Sequence, residues 1–162
     1  AMQNRLGNTL EEQLIEVRSR LLEPLQMHST IIETDEAGTF QGSSYVYASA
    51  HDWARLGQLY IDDGMAGNEQ LLPENWMETV SEPTLGSDQE YGIGFWRVNP
   101  GSDSGLTGIY MRGFQGQYVF ILPEQELVIV RLGATNFRSA GGYKLASDII
   151  AALRTDSEDE TR

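Results

Sequence analysis

The stretch Gln117-Tyr118-Val119-Phe120-Ile121-Leu122-Pro123-Glu124-Gln125-Glu126-Leu127-Val128-Ile129-Val130-Arg131-Leu132 decides the reading of the fold. Residues 118–122 and 127–132 are two apolar runs rich in β-branched and aromatic side chains. The polar link 123–126 is short and begins with proline, so the two runs predict an antiparallel hairpin. Both runs are apolar on successive residues, which implies burial on both faces. Upstream, residues 91–98 read as another strand and 99–105 as a polar loop. Downstream, Leu145, Ile149 and Leu153 recur at helical spacing and predict a helix over 141–154.

The first half of the chain is helical. Leu10, Leu14, Val17 and Leu21 predict an amphipathic helix over 9–23. Thr9 with Glu12 fits a capping box, and Pro24 ends the helix. Residues 25–48 are irregular, with a short extended piece near Tyr45. Ser49 caps a second helix over 50–63, with Trp53, Leu56 and Tyr60 on one face. Pro73 opens a short third helix through Trp76 and Val80. Helices, at least three antiparallel strands and a C-terminal helix make the class α+β. A single domain is expected over 1–154, followed by a disordered acidic tail over 155–162.

Composition excludes several functions. The net charge of −13 repels phosphate backbones, so nucleic-acid binding is not expected. There is no cysteine, which removes disulfides, thiolate metal sites and cysteine nucleophiles. The two histidines, His28 and His51, are isolated and give no metal signal. No cofactor is implied. No apolar run is long enough to span a membrane, and no signal peptide is expected within these residues. Absence of cysteine suits periplasm and cytoplasm of a bacterial protein alike, so localisation stays open.

Several segments, in this order, resemble the serine β-lactamase and penicillin-binding-protein superfamily, on the branch of class C β-lactamases, esterases and aminohexanoate-dimer hydrolases. They are Leu22-Glu23-Pro24-Leu25-Gln26-Met27, Ser49-Ala50-His51-Asp52-Trp53-Ala54-Arg55-Leu56-Gly57, Leu71-Leu72-Pro73-Glu74-Asn75-Trp76, Tyr91-Gly92-Ile93-Gly94-Phe95-Trp96 and the last hairpin from Gly116. The resemblance covers most of residues 9–150. It implies a partial β-lactamase/transpeptidase-like fold and, in an intact parent, cleavage of a small-molecule amide or ester through an acyl-enzyme.

That chemistry needs a serine whose proton a neighbouring base removes. The family uses Ser-x-x-Lys, then Tyr-x-Asn, then a Lys-Thr-Gly-like element on a strand. Here the only lysine is Lys144, and Gly141 stands three residues before it. None of the seven tyrosines begins Tyr-x-Asn. Both elements lie upstream of the matched region in the family, so the chain reads as truncated rather than decayed, and inactive alone. The third element aligns with Met111-Arg112-Gly113.

The resemblance makes Arg112 a cation for a substrate carboxylate and the Phe114 amide an oxyanion donor. The competing reading of Arg112 is a structural ion pair, and of Gly113 and Gly116, turn glycines. Gln117 is a substrate hydrogen-bond candidate or an ordinary strand residue. Ser43, Ser44 and Tyr45 are rim candidates against plain loop chemistry. Loss of the family's N-terminal strands would expose a sheet edge, so self-association is expected. The alternative function is a non-catalytic binding or assembly module on the same fold.

Overall fold

A computed structural model describes residues 7–98, 106–135 and 141–159. The chain divides into two compact units, Ala1–Trp76 and Met77–Arg162.

In the first unit, helix α1 spans Leu10–Val17 and carries the expected capping box. The Glu12 amide donates to Thr9 Oγ1 at 3.2 Å, and the Thr9 amide to Glu12 Oε2 at 3.2 Å. The helix then widens into a π-helical turn over Arg18–Leu22 before Pro24 stops it. Strands β1 (Ile31–Ile32) and β2 (Val46–Tyr47) pair antiparallel, with Ile31 opposite Tyr47. Helix α2 spans Ala50–Ile61, and Ser49 caps it by accepting the Asp52 amide. Strands β3 (Met65–Ala66) and β4 (Glu69–Gln70) form a small hairpin.

Leu22, Leu25, Met27 and Leu59 make the core of this unit. Leu59 is almost fully enclosed, which contributes roughly 1.5–3 kcal/mol. The face centred on Trp53, Leu56 and Tyr60 is therefore rotated slightly, because Leu59 and Asp52 carry the deepest burial on α2.

The second unit is built on one antiparallel sheet in the order β5-β6-β7-β8. A short helix α3, Trp76–Ser81, leads towards it. The strands are β5 (Trp96–Arg97), β6 (Ile109–Gly113), β7 (Gln117–Leu122) and β8 (Leu127–Arg131). The predicted hairpin of β7 and β8 is present, with Phe120 opposite Ile129. The strand expected over 91–98 shortens to two residues. Left-handed Gly94 and the bond from the Gly92 amide to the Phe95 carbonyl turn residues 91–96 back on themselves. Strand β6, where the resemblance implies a strand carrying the third element, gives the sheet its fourth member.

Helix α4 runs Gly141–Asp159, past the expected end at 154. Residues 99–105, expected as a loop, and 160–162 of the expected tail lie outside the described residues. Ala146 and Ile150 of α4 join Tyr110, Tyr118, Phe120, Leu122 and Ile129 in one core cluster. Gly142 permits close approach there, since a Cβ would sit 2.4 Å from the Tyr118 ring. No helix among the described residues is long and apolar enough to cross a membrane.

Candidate functional site

The alternation of a strand assigns the side chains of β6 to two faces. Tyr110 and Arg112 stand opposite Phe120 and Tyr118, respectively. That row belongs to the face covered by α4. Tyr110 stacks on Phe120 at 5.4 Å between ring centroids, and Tyr143 of α4 meets both edge-on. Met111 and Gly113 point to the other face, opposite Val119 and Gln117. The predicted triplet Met111-Arg112-Gly113 is thus continuous in sequence but divided between the two sides of the sheet.

Arg112 is exposed, and among the described residues it forms no ion pair. Its charge acts on the tyrosines of the α4 face instead. Desolvation pushes the Tyr143 and Tyr110 hydroxyls above the usual phenol range. A hydrogen bond between the two phenols raises Tyr143 further, and Arg112 partly opposes the rise in both.

Beyond Gly113 the chain reverses through Phe114, Gln115 and Gly116. The Phe114 side chain is 69% exposed. Gln115 and Gly116 both adopt left-handed backbone, with φ of 57° and 82°. Gly116 is a turn glycine, and a Cβ there would lie 3.2 Å from Arg131 Nη1. Gln117 spends its amide on the backbone. Its Nε2 donates to the Phe114 carbonyl at 3.1 Å and to the Gly133 carbonyl at 2.5 Å. Its Oε1 accepts the Gly133 amide at 2.8 Å. Both Nε2 protons are used, so Gln117 is a structural bridge with no donor left for a substrate.

Arg131 reads in the sequence only as the end of an apolar run, yet it reaches the same turn. Its guanidinium donates to the Gly116 carbonyl and to Thr135 Oγ1. The Thr135 amide in turn donates to the Gln115 carbonyl at 2.8 Å.

Ser43, Ser44 and Tyr45 lie in the first unit, on the loop that enters β2. Both serines are exposed. Tyr45 has φ of 62°, which for an aromatic residue costs roughly 1–3 kcal/mol. Its carbonyl accepts the Glu33 amide at 2.9 Å, which helps hold that conformation.

The histidines are also in this unit and both are exposed. The neighbouring buried carboxylate, Asp52, is a structural group. Its Oδ2 accepts the Ser29 amide at 2.9 Å and the Ser29 hydroxyl at 2.6 Å, while Arg55 donates to Oδ1 at 2.7 Å. The hydrogen bond from the Ser29 hydroxyl is the main cause holding its carboxyl below the usual range, against the opposing effect of burial. Among the described residues, no group of three or more His, Asp or Glu could hold a metal ion.

A model of the beta-lactamase family matches residues 12–152. No curated protein matches the chain. Its fold is similar to the crystal structure of a beta-lactamase-like protein from Bacteroides dorei DSM 17855, with a TM-score of 0.59 and 18% sequence identity. The alignment covers 85% of this chain and 50% of that one, so this chain spans about half the length of that solved structure. At that identity the likeness concerns the fold. The order of helices, four-stranded antiparallel sheet and C-terminal helix agrees with it. On the family match across residues 12–152, the chain belongs to the beta-lactamase family.

Proposed function

We propose that this chain is the C-terminal portion of a serine hydrolase domain whose intact form cleaves a small amide or ester through an acyl-enzyme. The carrying observation is the β6–β7 turn. The resemblance aligns the end of β6 with the family's third catalytic element, and the turn that follows supports this reading because its backbone is held by Gln117 and Arg131. In this reading the chain contributes backbone donors near Phe114, and the Met111 and Gly113 side of β6, to the acyl site. The nucleophile and its base come from the segment that carries Ser-x-x-Lys and Tyr-x-Asn. Arg112, on the α4 face, moves from the substrate-carboxylate role to the rim of the sheet.

The isolated chain is then inactive. Turnover of a chromogenic cephalosporin or a p-nitrophenyl ester should be absent, and should return when a segment bearing Ser-x-x-Lys is supplied. Failure to regain activity with a folded complex would count against the reading.

A second reading, a self-assembling module, is favoured by the outer edge of β8. Among the described residues that strand pairs only with β7, and Val128 and Val130 are half-buried. An apolar edge of this kind recruits strands. Light scattering should show association that rises with concentration, and Val128→Lys should abolish it. A strictly monomeric native chain at high concentration would dismiss this reading.

A further inference from the structure

The β6–β7 turn presents three consecutive carbonyls, and each is captured. The Phe114 carbonyl accepts from Gln117 Nε2 at 3.1 Å. The Gln115 carbonyl accepts from the Thr135 amide at 2.8 Å. The Gly116 carbonyl accepts from Arg131 Nη1. The clamp is itself cross-braced, because Arg131 Nη2 donates to Thr135 Oγ1 and Gln117 binds both polar groups of Gly133. Thus β8 and residues 132–135 hold a turn that belongs to the preceding hairpin.

The geometry of the peptide unit gives this arrangement a direction. In a trans peptide the carbonyl and the following N–H point opposite ways. Drawing the carbonyls of residues 114–116 towards Gln117, Arg131 and Thr135 turns the N–H groups of residues 115–117 away from those partners. The amides of Gln115 and Gly116 have no acceptor among the described residues. Successive N–H groups in a turn of this kind form a concavity suited to a negative oxygen. Gln115, a non-glycine residue at φ 57°, would leave the left-handed region at little cost if nothing held it. Arg131, partly buried and without an ion pair among the described residues, adds positive charge beneath the turn.

We propose that Gln117, Arg131 and Thr135 are positioning residues that pre-set the β6–β7 turn so that its backbone amides are presented as donors to the acyl site. The role as donors rests on the hydrolase reading above, whereas the clamp itself does not. Preorganised donors stabilise developing charge without reorganising during the reaction, which is why their rigidity matters.

Two measurements test this separately. The first is backbone ¹⁵N relaxation on the native chain and on Gln117→Leu, Arg131→Gln and Thr135→Val. In the native chain, order parameters at Gln115 and Gly116 should be about 0.85, the value of rigid backbone. They should fall below about 0.6 in Gln117→Leu and Arg131→Gln. Thr135→Val removes only the hydroxyl brace and should lie between; it serves if the other two fail to fold. Order parameters that stay at the native value in every folded variant would overturn the clamp.

The second measurement uses the chain reconstituted with its Ser-x-x-Lys segment. Arg131→Gln should lower kcat about tenfold or more with KM little changed, and Arg131→Lys should recover part of the loss. A loosened turn with unchanged kcat would overturn the positioning role. A native complex with no turnover would instead sink the hydrolase reading and leave the relaxation result to decide the clamp.

Discussion

Strands β7 and β8 have the same apolar sequence character but different environments. Every residue of β7 from Tyr118 to Leu122 is buried, whereas in β8 only Ile129 is. The cause is position in the sheet. Strand β7 lies between two strands and under α4, and β8 is an edge. A run of apolar residues therefore identifies a strand meant for burial, but the second flank must come from elsewhere. In β8 that flank is missing among the described residues, and the strand keeps the composition of an interior one.

The largest expected effect separates the two strands directly. Phe120→Ala should destabilise the second unit by about 3–5 kcal/mol, because it empties the centre of the aromatic core. Val130→Ala on the half-buried edge should cost about 1 kcal/mol or less. Urea melts of both variants measure the contrast, and equal losses would erase the distinction between interior and edge. Next comes Gly142→Ala. A methyl group there meets the Tyr118 ring, and overpacking of this kind costs about 1–3 kcal/mol. The thermal midpoint should fall accordingly; an unchanged midpoint would mean that α4 is not seated on β7 as described.

A smaller effect is the pH dependence of the β7 side. Tyr143 and Tyr110 have folded-state pKa values raised above the ordinary phenol value, chiefly by desolvation. A raised folded value means that the native state holds the proton longer than the unfolded chain does. The associated stability is complete below about pH 10, the unfolded value, and is lost as pH rises through the folded value. Stability should therefore decline above about pH 10, and Tyr143→Phe should flatten the decline. An identical alkaline profile in that variant would dissociate Tyr143 from the effect. Strand β8 contains no tyrosine, so substitutions there should leave the profile's shape intact.

Much of this architecture was legible in the chain because its signals are local. The Thr9–Glu12 capping box, the Ser49 cap and the β7–β8 hairpin all depend on residues a few positions apart, and the structure contains each. Strand β6 was harder to read because its five residues end in Arg112 and Gly113, which carry no apolar pattern. The length of the 91–98 strand was misjudged because Gly92 and Gly94 permit a turn that the flanking aromatics conceal.

The candidate site rests on an alignment, and its contacts could not be read from the sequence. The alignment placed Met111, Arg112 and Gly113 together, while the strand's two-residue period sends Arg112 to the α4 face. The capture of Gly116 by Arg131, fifteen residues away, has no local signature. Nor does the engagement of Gln117 with Gly133.

The most direct test of the central claim is a paired hydrolysis assay on the purified chain, alone and complexed with a segment carrying Ser-x-x-Lys and Tyr-x-Asn. The predicted result is no turnover of a p-nitrophenyl ester or chromogenic cephalosporin by the chain alone, and acyl-enzyme-forming turnover by the complex. Turnover by the chain alone, with a titratable nucleophile accounting for it, would contradict the account.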